Sequence, residues 1–396
     1  ASASASTGGL PCPASLPATQ FGGILFLMLE IAKKLSSIGH DLTIFTTDLD
    51  FANNPKTFNK KLPREEIIDD FKINRTHVWF HFQLFFVNPG IYFQLIKEKP
   101  EIIHTIGIRS FQSLIAALVA KKLHIPFVIS DQGGLTTHPE LNKGWRKKIY
   151  KIQEPLIKFI INQADQIIVP NNYEKNIFLK YVKESKIEVV QNGINLEELS
   201  HTNINFKKQY NIQNDFVLFV GRFHHVKGID TLLKAWNIIK NNPKLNGIKI
   251  VILGVDFGFE KKMQDMIKEL KLSEYVLVIK KPPREHVIAA YMSCLFLALP
   301  SRWELSPLTP LEGFAFGKTC VSCNSHGIPY TINDGKNCLL VEPDNPKNLG
   351  DAILRLVQNK KLRDSLGDAG YDLVQKTCNS QVMAKKIFSV YSKLIR

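Results

Sequence analysis

The sequence is short of cysteine, of acidic residues relative to basic ones, and of long apolar runs. Its six cysteines lie scattered at positions 12, 294, 320, 323, 338 and 378, too few and too dispersed for a disulfide scaffold and in keeping with a reducing compartment. No apolar run reaches the length of a membrane span. The longest, Val287 to Leu299, contains Ser293 and Cys294 and is followed by Pro300, so it reads as a buried helix and strand. The first twenty residues, ASASASTGGLPCPASLPATQ, carry no charge and no initiator Met. A signal peptide needs a basic start and a longer apolar core, so residues 1–20 are expected to be a low-complexity, flexible or altered terminus. Asp and Glu number 36 against 51 Lys and Arg, a net charge of +15, which points to polyanionic partners: nucleotide phosphates, nucleic acid or an anionic membrane surface. A recognition helix, an RNA-binding sheet and a zinc-finger pattern are all missing, which argues against nucleic acid.

What is there is a regular alternation. Helical spacing from Ile24 to Ile38 stops at Gly39, and Leu42 to Thr46 reads as a strand. Further strands are expected at Ile73 to Phe80, Ile102 to Thr105, Phe127 to Ser130, Gln166 to Val169 and Ile187 to Val190. A second series begins at Phe216, with strands at 217–220, 248–253, 275–279, 294–299, 319–323 and 338–341, again separated by helices. Such alternation predicts an α/β protein with parallel sheets covered on both faces. Residues 201–214 are polar and weakly periodic and are expected to be a linker. The domains then run 21–200 and 215–375, with a terminal helix over 376–396 packing near the interdomain region. Two doubly wound, Rossmann-like halves place the expected site in the cleft between them, at the carboxyl ends of the strands.

Two segments carry chemistry. In FVGRFHHVKG (219–228) a buried strand runs into Gly221, Arg222 follows, and Lys227 and Gly228 precede a helix. A glycine allows a close turn, Arg222 offers a planar fork, and Lys227 adds a point charge beside a helix start, an arrangement that suits a diphosphate. One such contact is worth about 4 kcal/mol at 4 Å and an effective dielectric near 20, before desolvation. By spacing alone, a surface loop with two solvated cations fits as well. In LPSRWELSPLTPLEGFAFGKT (299–319), Glu304 and Glu312 stand eight apart directly after a buried strand. A carboxylate there can accept two hydrogen bonds from vicinal sugar hydroxyls.

These segments resemble the retaining glycosyltransferases of the GT-B fold, family 4. The family's ordered elements are matched by Gly221-Arg222…Lys227-Gly228, by Pro300-Ser301…Glu304, seven residues, Glu312…Gly317, and by Gly327-Ile328-Pro329…Asp334-Gly335…Leu339-Leu340-Val341. The match covers roughly Phe216 to Leu356. Weaker agreement covers Gly22-Gly23, Gly39-His40-Asp41-Leu42-Thr43 and Gln191-Asn192-Gly193. Three linked motifs in order are far more specific than any one.

The resemblance implies a metal-independent enzyme that needs no cofactor and moves a sugar, expected to be a hexose, from a nucleotide diphosphate sugar to a hydroxyl acceptor, a glycan or a lipid-linked glycan. It implies that Arg222 and Lys227 hold the diphosphate and stabilise it as a leaving group, that Glu304 contacts the transferred sugar, and that Glu312 binds the donor ribose. It further places the backbone of Gly221 and the amides of Leu305, Ser306 and Leu308 at the sugar phosphate, and Gly22 and Gly23 where the first half approaches the phosphates. Retention is expected by same-face displacement, with the leaving phosphate helping to deprotonate the acceptor and no enzyme nucleophile. Four departures stand out, one of them Tyr330 in place of the usual Glu after Gly-Ile-Pro. Leu305-Ser306-Pro307 replaces the usual Gly-Phe-Gly, and Pro307 lacks an amide donor. Gln132 stands where many relatives carry His, with His138 as the other candidate for acceptor or sugar contact. The family's first strand is missing or reduced to an Ala/Ser/Pro-rich stretch before Phe21.

Several other patterns have blander readings. Asp48-Leu49-Asp50 matches a metal-binding motif of a different architecture and is expected to be a solvated loop. Cys320, Cys323, His326 and Cys338 have the chemistry of zinc ligands, but Cys320 and Cys323 fall on a strand expected to be buried. His224 and His225 are expected to face solvent. Within Lys143 to Gln163, Trp145, Ile149, Ile152, Leu156 and Ile160 fall on one stripe opposite Lys147, Lys151 and Lys158, with Pro155 kinking the helix. That segment reads either as a core-packing helix or as an interfacial helix on anionic lipid, the latter suiting a cytoplasmic enzyme peripheral on the inner membrane face. The runner-up enzyme within the fold is a hydrolysing nucleotide-sugar epimerase, against which the spacing of Glu304 and Glu312 argues.

Overall fold

The computed structural model of the chain describes residues 2–7, 23–48, 62–82, 85–135, 144–200, 202–245 and 247–395. They form two units, Ala1–Asn192 with Ser380–Arg396, and Gly193–Asn379. The strands of the first unit are β1 (Ser2–Thr7), β2 (Asp41–Thr47), β3 (Glu65–Ile68), β4 (Phe71–Thr76), β5 (Phe80–Phe82), β6 (Phe85–Val87), β7 (Ile102–Ile106), β8 (Phe127–Ser130), β9 (Gln166–Val169) and β10 (Ile187–Val189). Its helices are α1 (Gly23–Ser37), α2 (Gly90–Glu98), α3 (Phe111–Leu123), α4 (Gly144–Gln163) and α5 (Asn172–Phe178). The main sheet runs β10-β9-β8-β7-β1-β2-β4-β3, and only the edge strand β3 is antiparallel to its neighbour. Strands β2 and β7 are buried along nearly their whole length, as parallel strands covered on both faces must be.

β1 corrects the expectation for the N-terminus. Ser2–Thr7 pairs in parallel with both β2 and β7, so of the two expectations for the family's first strand, missing or reduced to an Ala/Ser/Pro-rich stretch, the second holds, and the stretch is a strand in the middle of the sheet. Ala and Ser are poor strand formers on their own, and here the pairing partners on both sides impose the conformation.

The second unit contains α6 (Phe206–Gln209), β11 (Phe216–Val220), α7 (Ile229–Ile239), β12 (Lys249–Gly254), α8 (Glu260–Glu269), β13 (Val276–Lys280), α9 (Arg284–Ser293), β14 (Phe296–Leu299), α10 (Thr309–Phe314), β15 (Cys320–Cys323), β16 (Cys338–Val341), α11 (Pro346–Gln358) and α12 (Lys360–Lys376). Its sheet is parallel throughout, in the order β13-β12-β11-β14-β15-β16. The residues read as a linker belong to this unit: Phe206 and Ile212 are buried in its core, with Ile204 and Tyr210 packed against them. Four apolar side chains spread over nine mostly polar positions gave too weak a periodicity to read. The last helix, α13 (Ser380–Leu394), belongs to the first unit, where Phe388 stacks on His40 with ring centroids 4.2 Å apart.

Near the C-terminal end of α13, Tyr391 Oη shares a 2.5 Å hydrogen bond with Nδ1 of His104, whose Nε2 meets Ser130 Oγ at 2.7 Å. His104 lies buried in mid-β7, and burial lowers its pKa from 6.5 to about 3. The imidazole therefore stays neutral in the folded chain while the unfolded chain protonates it below pH 6.5. The unfolded state then binds more protons, so stability falls as pH drops from 6.5 toward 3, by about 1.4 kcal/mol per pH unit from this residue. Urea unfolding at several pH values between 7 and 5 is expected to show this slope in the wild type and a correspondingly smaller one in His104→Gln; equal slopes would remove His104 from the account.

Candidate active site

In the second unit the strand order reverses between β11 and β14: the chain goes from β11 outward to β12 and β13, then returns to β14 on the other side. Loops leaving the carboxyl ends of two such strands diverge and leave a crevice. The loop after β11 carries Gly221 to Gly228, and the loop after β14 carries Pro300 to Leu308.

The first loop is anchored by apolar side chains and backbone pairing. Gly221 N donates to Leu253 O at 3.0 Å and Phe223 N to Val255 O at 2.8 Å, with the Phe223 ring fully buried. Between them Arg222 is exposed, its guanidinium over the Phe257 ring at 5.2 Å. A 3-10 turn over His225–Lys227 follows, with Val226 buried and His224 Nδ1 accepting from Val226 N at 3.3 Å. His224 is thus a turn-capping residue, whereas His225 is exposed as expected. Gly228 then takes φ +68°, and a Cβ at that position would lie 1.9 Å from the Pro300 carbonyl oxygen. Only glycine permits both the backbone angle and the approach of the two loops.

That approach brings Lys227 Nζ onto Glu304 Oε1, both side chains about four-fifths buried. Ser301 Oγ donates to the same oxygen at 3.5 Å. Glu304 O accepts from Gly327 N at 3.0 Å, and a Cβ on Gly327 would meet Leu305 O at 1.8 Å. The Gly-Ile-Pro element therefore props the glutamate loop from below. Phe219, Lys227, Ser301, Glu304, Pro307 and Ser322 are among the residues that line a small concavity here.

Glu312, on α10, lies in a second network. Its Oε1 accepts from Arg284 Nη2 at 2.7 Å and its Oε2 from Tyr291 Oη at 2.6 Å, while Arg284 Nε donates to Glu198 at 2.9 Å. Burial disfavours the Arg284 charge, but Glu312 and Glu198 outweigh it and raise its pKa. Burial and the Glu312 charge likewise raise that of Tyr291. The carboxylate is held in one orientation, with a second lone pair on each oxygen left to accept. Leu305 is buried, Ser306 half-buried, and the Leu308 carbonyl accepts from Glu312 N at 2.9 Å.

In the first unit Gln132 and Asn192 exchange two side-chain amide hydrogen bonds of 3.0 Å each, beside a small concavity also lined by Ile106 and Ser130. Next to Gln132, the carboxyl of Asp131 is buried and accepts from Leu135 N at 3.2 Å; burial pushes its pKa up to about 6. Gly23 opens α1, whereas Gly22 and His138 lie outside the described residues. Asp48 is buried rather than solvated, accepting from Val78 N at 3.1 Å and paired with His77 and Arg64; Leu49 and Asp50 lie outside the described residues. Cys320 and Cys338 are buried and face each other in register across β15 and β16. Among the described residues, no group of three or more His, Cys, Asp or Glu is placed to hold a metal ion. On α4, Ile157, Ile160 and Ile161 are buried but Ile152 is 77% exposed, so the expected stripe is out of the core at Ile152. Spacing did not single out Arg284, Tyr291 and Arg302. Arg302 adjoins Ser301 in the second motif, and that adjacency was the available signal.

The glycosyl transferases group 1 family matches residues 201–373, and glycosyltransferase family 4 matches residues 21–198. An uncharacterized glycosyltransferase of Methanocaldococcus jannaschii is 32% identical over 266 residues, 67% of this chain and 68% of the relative. Among solved structures, sucrose-phosphate synthase from Thermosynechococcus elongatus superposes with a TM-score of 0.78 at 19% identity, covering 100% of this chain and 99% of that one. Anabaena HepE in complex with UDP and glucose does so at 0.76 and 14% identity, covering 99% and 100%. These two likenesses show the GT-B fold.

Proposed function

The chain belongs to the family 4, group 1 glycosyltransferases and is a sugar-transferring enzyme, and from that premise we propose that it moves a hexose from a nucleotide diphosphate sugar to a hydroxyl acceptor with retention of configuration and without a metal ion. The observation that carries the reading is the meeting of Lys227 and Glu304 where the strand order reverses, with Arg222 on the same loop. Lys227 has three N–H donors and Glu304 takes one, so two remain for phosphate oxygens. Glu304 keeps its second oxygen for sugar hydroxyls. Arg222, backed by Phe257, is free of the Lys227–Glu304 contact and presents a second charge to the diphosphate. Positive charge aimed at a leaving diphosphate stabilises it most in the transition state, where its charge grows.

In this reading Glu312, fixed by Arg284 and Tyr291, accepts from the donor ribose. The leaving phosphate takes the acceptor proton on the face from which it departs, so the chain supplies no nucleophile. The complexes of Anabaena HepE with UDP and glucose and with UDP-glucose support a nucleotide sugar as donor. The family 4 spacing of Glu304 and Glu312 and the family matches of both halves favour transfer over epimerisation. Gln132, held by Asn192 in the first unit, is assigned to acceptor or sugar contact in this reading. Thermal-shift screening against UDP-, GDP- and ADP-sugars is expected to find at least one that raises the melting temperature. Arg222→Ala, Lys227→Ala and Glu304→Ala are each expected to lower kcat about 100-fold or more, and transfer is expected to persist in EDTA. No response to any nucleotide sugar would overturn the donor assignment.

A glycan carried on a lipid suits the acceptor side, with the enzyme peripheral on the cytoplasmic membrane face. No helix among the described residues is long and apolar enough to cross a membrane. The exposed Ile152 lies beside the exposed Lys148 and Lys151 on α4, an apolar group flanked by cations that suits an anionic lipid surface. Lys158, by contrast, is paired with Glu154 at 2.9 Å. Co-sedimentation with phosphatidylserine-containing vesicles is expected to fall about tenfold in the double variant Lys148→Glu/Lys151→Glu; undiminished binding would exclude this helix.

A further inference from the structure

Arg302, on the loop that carries Glu304, reaches across to the first loop and has every donor engaged. Its Nε donates to Asp344 at 2.7 Å. Nη1 donates to Asp230 Oδ1 at 2.8 Å and to the His225 carbonyl. Nη2 donates to Asp230 Oδ2 at 2.9 Å and to Thr231 Oγ1 at 3.1 Å. A guanidinium has five N–H bonds, and the five acceptor atoms on these four residues engage all of them. The backbone repeats the link: Arg302 N donates to Val226 O at 2.8 Å, and Ser325 Oγ donates to Arg302 O at 2.7 Å. Both carbonyls preceding Lys227 are therefore held by the residue two positions before Glu304.

We propose that Arg302 is a positioning residue: it locks the turn bearing Lys227 to the loop bearing Glu304, so that the two charges meet the donor's diphosphate and sugar already spaced for them. With no N–H left over, Arg302 is not itself a donor ligand. The pair with Asp230 is the stronger tether, because the Asp230 and Arg302 side chains are 9% and 16% exposed, whereas Asp344 is 59% exposed. Burial opposes the Asp230 charge, but the hydrogen bonds and charge of Arg302 prevail, and its carboxyl stays ionised below the usual range. Lysine at 302 keeps the charge but offers three donors in place of the planar five, so it can hold Asp230 without also holding the turn.

The inference rests on the proposed donor site, and two measurements keep its failure distinct from failure of that reading. In the full chain without nucleotide, hydrogen exchange at residues 225–228 is expected to quicken about tenfold or more in Arg302→Met, with Arg302→Lys intermediate and the strands of the second sheet unchanged. Unaltered exchange in the turn would overturn the proposal whatever the donor. Calorimetric titration with UDP, GDP and ADP supplies the second arm. For whichever of these binds, Arg302→Met is expected to weaken affinity about tenfold in the wild type but less than about twofold in a Lys227→Met background, the non-additivity expected when one residue acts through another. Equal losses in both backgrounds would reduce Arg302 to general support of the fold and contradict the proposal. If none of the three nucleotides binds the wild type, the donor reading fails and the exchange measurement alone decides the role of Arg302.

Discussion

The contact between Lys227 and Glu304 joins loops 77 residues apart in sequence, and the rest of the site is organised around making it possible. A lysine and a glutamate so separated meet only if two strand ends lie side by side, which the reversal of strand order between β11 and β14 provides. They stay together only if the backbones can nearly touch, which Gly228 permits against the Pro300 carbonyl. They are spaced only if both loops are fixed, and the fork of Arg302 fixes them. An ion pair whose members are mostly withdrawn from water needs such support, because desolvation offsets much of the attraction.

In the proposed reading the same pair lets one site take both a phosphate and a sugar. Each partner keeps unused hydrogen-bonding capacity of one kind, donors on Lys227 and acceptors on Glu304. A ligand with anionic oxygens at one end and hydroxyls at the other satisfies both without separating them fully. Glu312 is treated differently: two donors clamp it before any ligand arrives, which spares the ordering entropy that a free glutamate loses on binding.

Much of the second unit was legible in the sequence because its strands are apolar runs bounded by glycine and proline, and because three motifs stand in a fixed order from Gly221 to Val341. What escaped follows from the limits of local pattern. Strand β1 is built from Ser and Ala, and only its partners β2 and β7 make it a strand. Residues 204–212 look polar, yet Phe206 and Ile212 are buried. Asp48 reads as a loop residue and is buried among three partners. Arg302 looks like one more surface cation in a basic chain. Its role depends on Asp230, 72 residues away, and no spacing rule joins them. The positive charge first read as a general affinity for polyanions divides into cations committed to structure, such as Arg284 and Arg302, and cations left to meet a ligand, such as Arg222.

The central claim is that the two loops at this reversal point bind a nucleoside diphosphate through Lys227 and Arg222. The most direct test is a crystal structure of the full chain with UDP, GDP or ADP bound. The account predicts diphosphate oxygens within hydrogen-bond distance of Lys227 Nζ and the Arg222 guanidinium, with Arg302 still paired to Asp230. A nucleotide bound elsewhere, or one whose phosphates leave Lys227 wholly on Glu304, would contradict it.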